Sequence, residues 1–367
     1  MADAPPPGTG PSADEFAGAF DVYERRRNGD RLLYFGQPRA PRDAVLRQVW
    51  PLFRERGYQV TLTRRRGEDV LVAEPVDTGV DGVPWTNVLL FVATLLSTLY
   101  AGSMWYYVRD PLANPLSVLQ AWPFAAAVLG VLGIHELGHY AMSRYHDVDA
   151  TLPYFIPMPT FIGTMGAVIR MKGQMPDRKA LFDIGVAGPI AGLVATVVVT
   201  AIGLAMPPID VPAWVYASPN TFEVEFGKPL LFHGIAAAMG VEPTYRNPVV
   251  IGGWVGMFVT FLNLLPVGQL DGGHVVRALV GDRQRTVAAL VPGVLFALAG
   301  YLYYVEQVGD AVWLWGFWGV LAMVFAFVGP AQPIHEEGLD GRRKLVGVMT
   351  LVVGLLCFTP VPIQIVP

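Results

Sequence analysis

A single cysteine, Cys357, rules out any intrachain disulfide, so a small cross-linked scaffold is not to be sought. Charge is scarce too. Charged residues make up 15% of the chain against 53% hydrophobic, and a mean hydropathy of +0.42 is too apolar for a soluble protein. The stretch 1–10 is rich in Pro, Gly and Ala and lacks the apolar core of a signal peptide, so insertion is expected to begin with the first true span. Histidine is rare as well, six in 367 residues, which makes the grouping of histidines informative.

What the chain has in quantity is helix-length apolar sequence. The runs 85–108, 117–145, 180–206, 247–267, 286–304, 311–328 and 345–359 each read as a membrane span, with Trp85, Tyr106 and Tyr107 at the interfaces of the first and Trp313, Trp315 and Trp318 anchoring the sixth. The run 151–175 is broken by Pro153, Pro157 and Pro159 and cannot be a spanning helix. Its last part, 163–171, reads as extended chain, which lipid tolerates only where protein or water satisfies its backbone. The stretch 229–240 is too short to cross and reads as interfacial or re-entrant. Gly188-x-x-x-Gly192 and Gly252-x-x-x-Gly256 allow close helix approach.

Ahead of the spans, 1–13 reads as a disordered tail and 14–84 as a small cytosolic α+β domain. Strands are expected at 31–35, 58–63 and 69–73, with a helix over 42–56 interrupted at Pro51 and stopped by Gly57. The runs Arg25-Arg26-Arg27 and Arg64-Arg65-Arg66 are interleaved with acidic residues and read as a solvated face, so no nucleic-acid partner is expected. The fold class is thus an α-helical polytopic membrane protein with about seven transmembrane helices and a small N-terminal α+β soluble domain. With the amino terminus inside, Arg144, Arg170, Lys172, Arg178, Lys179, Arg277, Arg283, Arg285, Arg342, Arg343 and Lys344 fall on inner segments, whereas Arg109, Lys228 and Arg246 fall outside. That bias predicts a multi-pass cell-membrane protein with a cytosolic N-terminus.

Within the second span lies His135-Glu136-Leu137-Gly138-His139. Four residues turn an α-helix through ~400°, so His135 and His139 share one face as two nitrogen ligands of one metal would. Glu136 sits ~100° round, placed to act on water without being a ligand. Two histidines leave a tetrahedral site incomplete, and the best third candidate is Asp271, at the end of a later apolar run, where a lone carboxylate is costly without a partner. His146 falls one residue beyond the spacing of zincins that use a third histidine. His274 reads as a neighbour that orients the site, and His233 and His335 read as peripheral.

His135-Glu136-Leu137-Gly138-His139 together with Asn263-x-x-Pro266-x-x-x-Leu270-Asp271-Gly272-Gly273 resembles the site-2 protease family of intramembrane zinc metalloproteases. Gly163-Thr164-Met165-Gly166-Ala167 and Ala187-Gly188-Pro189-Ile190-Ala191-Gly192 are also similar to that family. The resemblance implies one Zn2+ held by His135, His139 and Asp271, Glu136 as the catalytic acid/base, and Asn263 as a donor to substrate or oxyanion. It also implies that 85–367 is the protease domain, that the substrate is a transmembrane protein segment in the lipid bilayer, and that the extended stretch offers a strand edge to that substrate. The chain shows no PDZ-like insertion or C-terminal regulatory domain, so regulation is expected to fall to the N-terminal domain or the loops. The rival reading is a zinc transporter or metal-gated membrane carrier, which requires polar groups at several depths.

Overall fold

A computed structural model of the protein describes residues 10–65, 67–76, 82–217 and 223–366. Most of the expected N-terminal tail, 1–9, lies outside the described residues. Strand β1 (Phe20–Asn28), strand β2 (Arg31–Pro38), helix α1 (Arg42–Arg54), strand β3 (Tyr58–Arg65) and strand β4 (Glu68–Pro75) form an antiparallel sheet of order β1-β2-β4-β3 backed by α1. Alternation in β2 turns Leu32 and Tyr34 inward, where they meet Val45, Val49 and Phe53, spaced by four along α1. One element is added to the sequence reading here and one boundary changes, while Arg25, Arg26 and Arg27 are solvated as expected. The arginine run 25–27 lies in an edge strand that its charge concealed, and α1 runs through Pro51 to Arg54 because its buried face outweighs the local break, ending before Gly57 at φ +75°.

The membrane-embedded part begins with helix α2 (Trp85–Trp105) and helix α3 (Trp122–Tyr145). Strands β5 (Tyr154–Pro157) and β6 (Thr164–Val168) then form a hairpin, and strand β7 (Met175–Asp177) leads into helix α4 (Arg178–Ala205), which Asp177 caps by accepting from the Ala180 N–H. After the four-residue helix α5 (Ala213–Tyr216), strand β8 (Glu223–Phe226) and helix α6 (Leu230–Met239) come helix α7 (Pro248–Asn263), helix α8 (Asp271–Val280), helix α9 (Gln284–Tyr301) and helix α10 (Gly309–Val328). Strand β9 (Pro333–His335), helix α11 (Gly341–Leu356) and strand β10 (Ile363–Val366) complete the described chain.

Among the described residues, five helical segments are long and apolar enough to cross a membrane: Trp85–Trp105, Pro115–Tyr145, Arg178–Ala205, Asp271–Glu306 and Gly309–Val328. Two of the seven expected spans are not among these five. The fourth span stops as α7 at Asn263, 16 residues and ~24 Å long, because Pro266 and Gly268 (φ +50°) break the apolar run. Nearly all of α7 is buried among its neighbours, so it has little lipid to match. The seventh, α11, is also only 16 residues. Trp315, expected as an interfacial anchor, is fully buried and donates to the Pro360 C=O at 2.7 Å.

The extended stretch begins earlier than expected, at Tyr154, and its hairpin lies along α2. Asn87 near the start of α2 donates to the Leu152 and Pro153 carbonyls (2.9 and 3.0 Å), Ser97 Oγ to those of Met158 and Gly163 (3.1 and 2.6 Å), and Trp105 Nε1 at its end to that of Phe161 (2.8 Å). Protein side chains thus satisfy backbone groups that lipid would leave unpaired.

Candidate metal centre

Helices α3, α4 and α7 pack on one another, and that packing places the site. Gly138 of α3 lies against the backbone of Ala187 in α4, and Gly188 and Gly192 of α4 lie against the imidazoles of His139 and His135. A methyl group at Gly188 would overlap the His139 ring, and one at Gly192 would sit 2.8 Å from His135 Nδ1. The small-residue spacing expected to serve helix packing therefore makes room for two histidine side chains.

Asp271 opens α8 rather than closing a span. The turn 264–270 folds back beneath it, and Gly272 and Gly273 pack against carbonyls of that turn so closely that neither position has space for a Cβ. The carboxylate then reaches both imidazoles, with Oδ2 at 3.1 Å from His135 Nε2 and Oδ1 at 3.2 Å from His139 Nε2. The two Nε2 atoms are 3.2 Å apart, and Asn263 Nδ2, on the last residue of α7, is also 3.2 Å from His135 Nε2.

These separations fit a shared cation. Donors held at ~2.0–2.2 Å from one tetrahedral ion are ~3.3–3.6 Å from each other. A ring nitrogen carries either one proton or one lone pair, so His135 Nε2 cannot donate to Asp271 while accepting from Asn263 and also serving His139. A cation between the three donors removes that conflict. His139 Nδ1 donates to the Ile184 C=O at 2.8 Å, which fixes the tautomer and leaves the Nε2 lone pair facing the centre. Among the described residues, His135, His139 and Asp271 are the one group of three or more potential ligands whose donor atoms fall within 4.8 Å of one another.

Glu136 is buried, with the backbone of Ile169, just past β6, near its carboxylate. Two of these neighbours, Ile184 C=O and the Ile169 amide, are backbone groups that no residue type announces. Asp183 escaped notice in the sequence because it lies inside a long apolar run. It accepts from His146 Nε2 (2.9 Å) and from Arg343 Nε and Nη2 (2.8 and 2.7 Å), tying the end of α3 and the start of α11 to α4. His146 is thereby placed away from the metal centre. His274 is buried, with Nδ1 unpartnered, and lies against Gly185 of α4. His335 meets the edge of Trp50 from the N-terminal sheet domain.

Residues 123–300 match the family described as Peptidase family M50. The chain is similar to Probable zinc metalloprotease EGY2, chloroplastic, of Arabidopsis thaliana, 31% identical over 245 residues that cover 65% of this chain and 42% of that protein. It is similar to Probable zinc metalloprotease EGY1, chloroplastic, of the same plant at 32% identity, covering 64% of this chain and 42% of the other. At 23% identity it is also similar to Probable zinc metallopeptidase EGY3, chloroplastic, over 92% of this chain and 63% of that one. The chain thus spans about two fifths of the length of the first two relatives, at 42% each. No solved structure matches it.

Proposed function

We propose, from the match of residues 123–300 to peptidase family M50, that this chain is an intramembrane zinc metalloendopeptidase of the site-2 protease family. Its substrates are peptide bonds within transmembrane segments of other membrane proteins. The observation that carries the reading is the meeting of His135 and His139 from α3 with Asp271 from α8, with Glu136 on the next residue of the same helix.

His135, His139 and Asp271 would hold Zn2+. Zinc, when bound, polarises the scissile carbonyl and acidifies water. The Glu136 carboxylate takes the proton of the attacking water and delivers it to the leaving amine nitrogen. Asn263, its Nδ2 turned toward the same centre, donates to the substrate oxygen that gains negative charge. A peptide bond inside an intact helix is shielded, so the substrate must unwind locally. Strand β6 supports this step, since it pairs with β5 along one edge and its continuation at Ile169 touches Glu136.

In this reading 85–367 is the protease domain and 14–84 a cytosolic accessory domain. The protein is a multi-pass protein of the cell membrane with its amino terminus inside, an orientation supported by the excess of basic residues on the inner segments. Metal analysis of purified protein, paired with cleavage of a transmembrane reporter, tests the proposal. Expected are about one zinc per chain, cleavage abolished by a chelator, and Glu136→Gln protein that keeps its zinc but does not cleave. Zinc flux across vesicles without cleavage would overturn it in favour of a carrier. Asp183, a buried carboxylate inside α4, is taken up by His146 and Arg343 and so ties helix ends together.

A further inference from the structure

Helix α8 has 10 residues, too few to be stable alone, so the position of its first residue, Asp271, depends on what grips the helix. At its N-terminal end the grip is close backbone packing by Gly272 and Gly273. At its C-terminal end it is two arginines. Arg178, at the start of α4, directs Nε and Nη2 to the Ala278 C=O at 3.0 and 2.5 Å. Arg277, on α8 itself, is buried with 4% exposure, an uncommon place for a guanidinium.

Arg277 is engaged through Nε and Nη2. Nε and Nη2 donate to Gln332 Oε1 at 3.1 and 2.9 Å, Nη2 reaches Glu336 Oε1 at 2.5 Å, and Asp282 Oδ1 lies 3.4 Å away. Gln332 and Glu336 flank β9, which pairs in parallel with β7, the strand that runs straight into α4. The guanidinium therefore bolts α8 to the strand pair that starts the helix packed against both histidines. We infer that Arg277 is a positioning residue that sets Asp271 relative to His135 and His139 by locking α8 to the β7–β9 pair. Along the axis, Arg277 lies ~9 Å from Asp271, so a tilt released at that end moves the carboxylate by a sizeable part of a metal–oxygen bond length.

This inference rests on His135, His139 and Asp271 sharing zinc, and its test reads zinc affinity directly. Full-length protein and its variants in detergent are titrated with zinc against a competing chelator, with apo-protein thermal stability measured alongside. Arg277→Gln is expected to bind zinc about tenfold more weakly, at the lower end of losses seen when partners that orient metal ligands are removed. Glu336→Gln, at a half-exposed position, is expected to fold normally and show a smaller loss in the same direction. The charge exchange R277E/E336R is expected to recover most of the affinity that Arg277→Glu alone forfeits. Zinc affinity unchanged in both Arg277→Gln and Glu336→Gln, whatever the apo stability, would overturn the role of Arg277 while leaving the metalloprotease reading intact. Wild-type protein that binds no zinc would overturn both.

Discussion

At the scale of single residues, the metal centre depends as much on missing side chains as on those present. Gly188→Ala is expected to displace the His139 ring, with zinc lost on dialysis against a chelator and cleavage reduced to background. Glu136→Gln separates chemistry from binding: zinc content stays at the wild-type level while cleavage falls by at least ~10²-fold, the loss expected when a proton-transfer group is removed. His135, His139 and Asp271, which the fold brings together, stood out in the sequence as rare residue types within apolar surroundings, as did Glu136, whereas Asn263 was singled out only through the family resemblance. The Ile184 carbonyl and the Ile169 amide were not legible, since a backbone group is the same whatever side chain it bears. Gly188 and Gly192 were legible only as packing residues; that the surfaces they admit are imidazoles depends on the rotation of α3 against α4, which one-dimensional spacing does not encode.

At the scale of elements, the β5–β6 hairpin is held on α2 by side-chain bonds at three heights and by Gly163, whose φ of +84° and tight contact with the backbone of Ser97 and Thr98 leave no room for a side chain. Gly163→Val is expected to shift the hairpin, lowering reporter cleavage while leaving zinc content at the wild-type level; metal analysis and cleavage on the same preparation check this. Strand β5 was hidden in the sequence by Pro153 and Pro157, which read as breaks although an outer strand tolerates them. The end of α7 was hidden for the opposite reason, because Leu264, Leu265 and Val267 continue the apolar run across a turn. Helix α11 brings a pH dependence of its own. The Arg343 backbone N–H, reinforced by the Arg343 side chain, holds the Asp340 carboxyl down at about 2. A depressed carboxylate stabilises above its ordinary value of 3.8 and loses that contribution as pH falls toward about 2, so amide exchange at the start of α11 is expected to rise only in that acid window.

At the scale of the molecule, the proposed metal joins positions 135 and 271, which lie far apart in the chain and on different helices. Chelation is therefore expected to lower the unfolding temperature of the whole membrane part. Free zinc at 100 times its dissociation constant would stabilise the folded state by ~2.7 kcal/mol, and thermal scans with and without chelator measure the difference. The general plan, a small sheet domain followed by a part made of long apolar helices, was legible from composition and periodicity, whereas the ends of the individual helices were not, since they turned on breaks within runs of uniform character.

The sheet domain does not hang free from the first span. Arg54 of α1 donates to the Asp147 carbonyl just beyond α3, and Trp50, one turn earlier, sets its ring against His335, the residue before Glu336. A ligand that pulls this domain sideways would thus tug on the short stretch to which the decapeptide helix bearing Asp271 is moored, giving a signal received by the sheet domain a mechanical handle on the proposed metal centre.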